Sequence, residues 1–211
     1  MILETVVVGP LMVNCYIVGC ETTRKGVVID PGGDAEKILS AVARNKLSIV
    51  QIINTHGHFD HVGANQALMQ AFGVGLGIHE LDAPMLAHAD ITALKYGLKA
   101  ENSPPPTAYL RDGESIVFGN CSLKILHTPG HTRGGCSLFG EGVVITGDTL
   151  FAESVGRTDF PGGSASTLLT SIREKLLTLP DETIVYPGHG PSSTIGHERL
   201  HNPYLNDSAI F

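Results

Sequence analysis

Four side chains able to bind metal crowd one short stretch, Thr55-His56-Gly57-His58-Phe59-Asp60-His61. Imidazole nitrogens and carboxylate oxygens are the donors that zinc and iron take from proteins. His56 and His58 alternate around Gly57, so both rings can face one side of an extended loop. Asp60 and His61 lie on the next turn and can address a neighbouring position. One ion would not use all four groups, whereas two would. Random placement of these residue types gives His-x-His-x-Asp-His in roughly one chain per thousand of this length and composition. The stretch therefore reads as a metal site.

The elements that must position these groups are legible from hydrophobic pattern. Ile49 to Ile53 is an apolar run broken by Gln51, expected as a buried strand, and Gly63 to Phe72 is expected as a helix with Ala67, Leu68 and Phe72 inward. Upstream, Leu3 to Val8, Asn14 to Val18 and Gly26 to Asp30 read as strands, and Asp34 is placed to cap a helix from Ala35 to Arg44. Downstream, Gly75 to Ile78 reads as a strand, followed by a helical segment running to about Lys99 and a loop at Pro104-Pro105-Pro106. Ser115 to Phe118, Cys121 to Leu126, Cys136 to Phe139 and Val143 to Thr146 read as further strands. Ser164 or Ser166 starts a helix carrying Leu168, Leu169, Ile172, Leu176 and Leu177, and Thr183 to Tyr186 is the last strand before a terminal helix over about Thr194 to His201.

Each further candidate ligand follows a strand: His131 after Leu126, Asp148 after Thr146, His189 after Tyr186. Groups at strand ends on one edge of a packed sheet converge. Three imidazoles with an open fourth position are what a catalytic zinc site uses, and His56, His58 and His131 supply them for one metal. Asp60, His61 and His189 can hold a second, with Asp148 bridging the pair. Two metals roughly 3.5–4 Å apart can clamp a hydroxide and lower its pKa, and Asp60 is expected to orient that bridging hydroxide as well as to ligate. Two runs of strands alternating with helices fit two sheets flanked by helices, over a single domain of residues 1–211.

The chain resembles the metallo-β-lactamase superfamily, and within it the short glyoxalase II-like hydrolases. Thr-His-Gly-His-Phe-Asp-His at 55–61, Thr-Pro-Gly-His-Thr at 128–132, Gly-Asp-Thr-Leu-Phe at 147–151 and Tyr-Pro-Gly-His-Gly at 186–190 carry the resemblance, with Asp30 before Pro31-Gly32-Gly33 filling the first motif. It implies a four-layer αββα sandwich, the ligand set given above, and hydrolysis of a glutathione thioester such as S-D-lactoylglutathione. Asp148 stands where zinc β-lactamases carry Cys, so zinc is expected but iron or manganese would be tolerated. The loop Gly156-Arg157-Thr158-Asp159-Phe160 resembles one in persulfide dioxygenases, whose reaction would need one iron, oxygen and no His189. A lactonase or other esterase on the same metals is the remaining alternative. Long glyoxalase II enzymes add a helical domain with basic residues for glutathione, and those contacts are expected to be absent here or supplied differently. That leaves Arg157 for a substrate carboxylate, with a salt bridge to Asp159 or Glu153 as its other use. Asp30 can accept from a ligand histidine, or simply start the turn at Pro31.

Composition narrows the function further. The formal charge of −7 with no long basic run speaks against a nucleic-acid surface. No apolar stretch approaches the roughly 18 residues of a membrane span, and the N-terminus lacks a signal-like pattern. Cys15, Cys20, Cys121 and Cys136 contain no Cys-x-x-Cys pair and read as free thiols, so a cytoplasmic protein is expected. Cys136 is expected in the core rather than as a ligand. His197 and His201 are expected on a polar helical face, and His127 at most beside the site.

Overall fold

The computed structural model describes residues 1–205 of the chain. β1 (Ile2–Val8), β2 (Val13–Gly19) and β3 (Lys25–Ile29) pair antiparallel in turn, and α1 (Ala35–Arg44) carries the chain back so that β4 (Ser48–Ile53) lies parallel to β3. α2 (Phe59–Val62) and α3 (Asn65–Phe72) lead to β5 (Leu76–Ile78). A 3-10 turn over Ala83–His88 and α4 (Ala89–Leu94) lead to β6 (Ala108–Tyr109), completing a six-stranded sheet in chain order. The second sheet starts as an antiparallel run of β7 (Ser115–Phe118), β8 (Cys121–His127), β9 (Cys136–Gly140) and β10 (Val143–Gly147). The small hairpin β11 (Leu150–Phe151) and β12 (Ser154–Val155) follows, then α5 (Ala165–Ser171) with a π turn over Ile172–Leu176. β13 (Ile184–Pro187) joins β10 in parallel, β14 (Ser193–Thr194) adds the edge, and α6 (Ile195–His201) follows.

Period-two alternation divides the apolar residues among three interiors. In β2, Cys15 and Ile17 face the layer of α1 and α3, while Tyr16 and Val18 face the second sheet. In β10, Ile145 faces the first sheet and Val144 the layer of α5 and α6, with Leu168, Ile172, Leu176 and Ile195. Helices, sheet, sheet and helices therefore stack as the αββα sandwich expected from sequence. Among the described residues, no helix is long and apolar enough to cross a membrane.

Several local expectations are corrected. The helix expected over Gly63–Phe72 begins at Asn65, and a separate one-turn helix, α2, precedes it; between the two the Ala64 N–H turns aside to donate to the Pro31 carbonyl at 2.8 Å. Asp60 and His61 consequently sit in the first turn of the short α2. With the break, buried Asn65 takes the inward face beside Leu68, and Ala67 is exposed. The segment after β5 stops being helical at Leu94 rather than Lys99. Gly97 adopts φ +69° and the Leu98 N–H returns to the Ala93 carbonyl at 3.1 Å, a left-handed stop. Asp34 does not cap α1. It is left-handed at φ 48°, and its carboxylate accepts from the Gly9 N–H and pairs with Lys37. Ser164 does cap α5, accepting from the Thr167 N–H at 3.3 Å.

Candidate metal centre

All the strands that deliver candidate ligands run the same way. β3 and β4 are parallel, β10 and β13 are parallel, and β8 matches β10 through the antiparallel β9. Their C-terminal ends therefore open on one edge of the sandwich. Backbone contacts draw the two sheets together there. The Cys136 N–H donates to the Thr55 carbonyl at 2.8 Å and the Asn14 N–H to the Gly188 carbonyl at 2.8 Å, while within the second sheet the Gly188 N–H donates to the Gly147 carbonyl at 2.8 Å.

At that edge the side chains form the two expected groups, and a third, Asp30, His56 and His61, overlaps both. His56, His58 and His131 bring one nitrogen each within 4.8 Å of one another, as do the donor atoms of Asp60, His61 and His189. Asp148 lies between the groups. One oxygen is 3.5 Å from His131 Nε2 and 3.7 Å from His189 Nε2, and the other is 3.4 Å from His61 Nε2. Close approach is built into the backbone, since a Cβ on Gly188 would overlap Asp148 Oδ1 and approach His61 to 2.8 Å.

Hydrogen bonds on the far side of each ring set its orientation. Asp30, buried at φ 51°, accepts from the Thr55 N–H at 2.7 Å, the Thr55 hydroxyl at 2.6 Å and His61 Nδ1–H at 3.0 Å. His56 Nδ1–H donates in turn to the Thr55 hydroxyl at 3.1 Å. His131 Nδ1–H donates to the Arg157 carbonyl at 2.7 Å and His189 Nδ1–H to the Leu11 carbonyl at 3.1 Å. Four rings are thus fixed with Nε2 inward and the other nitrogen hydrogen-bonded, an arrangement common to metal-bound histidines. His58 instead points Nδ1 at His131 Nε2, 2.9 Å away.

Whether this set fits a metal is tested by its orphaned atoms. His56 Nε2, His61 Nε2 and Asp148 Oδ1 are buried and make no hydrogen bond. Leaving each bare costs about 1–3 kcal/mol, and divalent cations among them would satisfy all three. Electrostatics agree with that reading. Burial, and then the neighbouring imidazoles, push His56 well below the ordinary histidine range, and burial together with His131 pushes His58 to about 3. Burial opposes the charge on Asp148, but His61, His131 and His189 hold its carboxyl well below the usual range. Burial likewise opposes protonation of His61, yet Asp148, Asp60 and Asp30 raise it well above the ordinary value. His189 rises in the same way against burial, through Asp60 and Asp148. Three carboxylates thus seek positive charge at this point, and without a cation only a histidine proton can supply it.

The centre forms the floor of an open cavity of about 750 Å³ lined by Leu11, Phe59, Met85, Tyr96, Phe151 and Phe160 among others. Tyr96 stacks on Phe59 at 5.7 Å, and Phe160 meets His58 edge-on at 5.7 Å. Two cations line the cavity, Lys95 and Arg157. The Arg157 guanidinium grips Asp159 through bonds of 2.8 and 2.7 Å and lies 3.9 Å over the Phe160 ring. The Lys95 ammonium makes no ion pair among the described residues.

These features can be set against known proteins. The family model described as the metallo-beta-lactamase superfamily matches residues 8–189. The chain belongs to that superfamily. It is 38% identical over 211 residues to the hydroxyacylglutathione hydrolase GloC of Haemophilus influenzae, covering 98% of this chain and 99% of that one. Among solved structures, the B3 metallo-beta-lactamase BLEG-1 superposes with TM-score 0.90 at 36% identity, over 97% of this chain and 99% of that one. TTHA1623 in a di-iron-bound form gives TM-score 0.88 at 41% identity, over 96% of this chain and all of that one. The superfamily is one of metal-dependent hydrolases, and the histidine and aspartate groups described above provide places for divalent metal.

Two contributions of this superfamily member were not legible in its sequence. The Arg157 backbone carbonyl, rather than its side chain, is what touches a candidate ligand. Asp82, 1% exposed, accepts from residues in two ligand loops, and no spacing pattern marks it. Other groups stay outside the centre. Cys136 is buried in the inter-sheet core and hydrogen-bonds the Gly134 carbonyl at 3.4 Å, and burial pushes its thiol up. His127 stacks on His79 at 4.2 Å, and His197 bonds Glu153 at 3.0 Å.

Proposed function

We propose that this chain is a dinuclear metal-dependent thioesterase whose substrate is an acylated glutathione such as S-D-lactoylglutathione. The observation that carries the reading is Asp148, standing between two groups of inward-aimed donors on the floor of an open cavity. Likeness to a hydroxyacylglutathione hydrolase supports the choice of thioester. His56, His58 and His131 would hold one ion, Asp60, His61 and His189 the other, and Asp148 both. When bound, such ions supply a Lewis acid for the substrate carbonyl and acidify a water toward neutrality. Zinc is the proposed metal. The donor set has no thiolate to select it, so iron or manganese would also be held, and a relative is known with two irons.

The chain's own residues do the rest. Asp60, half-buried with Oδ2 3.4 Å from His189 Nε2, orients the attacking water by accepting its O–H. Phe59, Tyr96 and Phe160 present an apolar wall that shields the carbonyl from bulk water. The departing thiol has an ordinary pKa of about 8.5, so it leaves as thiolate without a positioned acid. An amide nitrogen would need one. Lys95 is offered as the contact for a glutathione carboxylate, because Arg157 is held by Asp159. Asp30 serves by orienting His61 directly and His56 through Thr55. A single domain over residues 1–211 is supported by relatives matched from end to end. Four free cysteines support a reducing, cytoplasmic setting.

The test is hydrolysis of S-D-lactoylglutathione by purified, metal-analysed protein beside a His189→Ala variant. Turnover with two ions per chain, lost in the variant, is the expected result. Two ions without turnover would remove glutathione as carrier and direct the search to lactones and other esters. One iron, with oxygen uptake on a persulfide, would establish a dioxygenase instead.

A further inference from the structure

Two buried carboxylates support the donor groups unequally. Asp30 reaches His61 directly and His56 through Thr55, so it serves both groups. Asp82 touches only the surroundings of the first. Its Oδ2 accepts from the Gly57 N–H at 3.1 Å, in the loop step between His56 and His58. The same oxygen accepts from the Thr132 hydroxyl at 2.7 Å, and Oδ1 from the Gly134 N–H at 2.7 Å, both in the loop that begins at His131. These loops leave β4 in one sheet and β8 in the other.

A carboxylate with 1% exposure and no cationic partner among the described residues is expensive to bury. Three donors aimed at it offset that cost, and each comes from a loop carrying a candidate ligand. Both flanking glycines are shaped around it. A Cβ on Gly134 would lie 2.7 Å from Asp82 Cγ, and one on Gly57 would lie 2.8 Å from the Asp82 carbonyl.

We infer that Asp82 is a positioning residue that clamps the His56–His58 loop to the His131 loop and so sets the affinity of the first metal position independently of the second. The inference rests on the dinuclear reading. It makes occupancy of the two positions separable by a residue that touches neither ion. An Asp82→Asn change would replace one acceptor oxygen by an N–H facing other donors, opening the gap between the loops. Residues supporting metal ligands are typically worth about 10–100-fold in affinity.

The experiment is competitive Zn²⁺ titration of metal-stripped protein against a chromophoric chelator, with circular dichroism to check folding. The wild type should take two ions. Asp82→Asn should keep one at unchanged affinity and bind the other about 10–100-fold more weakly. Paired backgrounds assign the weakened position: the change should weaken the ion left in His189→Ala but not the ion left in His58→Ala. If Asp82→Asn does not fold, Thr132→Val and Thr132→Ser decide, with a weaker first position expected for valine and rescue for serine. Equal loss at both positions, or no loss at either, overturns the inference. A wild type that takes a single ion overturns the dinuclear reading itself.

Discussion

At the scale of the residue, the centre is governed by which atoms are left without partners. Far-side bonds commit His56, His61, His131 and His189 to Nδ1–H, so their Nε2 lone pairs face one another. Removing the carboxylate beneath His61 and, through Thr55, beneath His56 should be severe. Asp30→Asn is expected to weaken metal binding about 10–100-fold, by chelator titration, and to lower stability by about 1–3 kcal/mol, by chemical denaturation. A second expectation follows from charge. His61 and His189 are raised above the ordinary histidine value in the metal-free protein by the carboxylates around them, so protons compete with metal for their Nε2 atoms. Metal loading should therefore release protons at pH below the raised values, and the release should fall as pH rises through them. Titration calorimetry in buffers of different ionisation enthalpy measures it, and proton uptake would contradict the assignment. In the metal-free protein the same raised values give stability that is present below pH 6.5 and lost as pH rises through them.

At the scale of the element, the strand ends are useful because the turns after them are unusually tight. Gly188 continues β13 into the space beside Asp148 and His61, where a side chain has no room. Gly188→Ala should displace Asp148 and weaken metal binding at both positions while the sandwich folds, read by metal analysis beside circular dichroism. The helices answer to simpler rules. Ser164→Ala removes the cap of α5 and should cost about 1 kcal/mol in thermal unfolding, with the metal content unchanged. The short pieces β6, β11, β12 and β14 escaped the sequence reading because each has only two residues. A pair of residues has no period, and such strands exist only because a neighbour is already in place to pair with them.

At the scale of the whole molecule, the cavity decides what reaches the centre. Its walls are largely aromatic and aliphatic, and the one lining cation without an ion pair among the described residues is Lys95. Lys95→Gln is expected to raise KM for S-D-lactoylglutathione several-fold with little change in kcat, and to leave a neutral thioester unaffected. Steady-state kinetics on both substrates would show it, and an equal loss on both would remove Lys95 from substrate binding. The convergence of the candidate donors was readable from sequence, because metal chemistry restricts residue type and because groups placed after strands must emerge at strand ends. The layers were readable too, since two runs of strands alternating with helices fit two sheets flanked by helices, whereas β2 and β10 are buried on both faces and only packing shows which interior each side chain enters. Long-range contacts decided the rest. Whether Arg157 was free depended on where Asp159 lay after the loop closed, and the role of its carbonyl depended on His131 arriving from another sheet. Asp82 became important only when two distant loops met over it. Sequence specifies the donors and the period of each element, whereas the partner of a polar group is fixed only when the sheets pack.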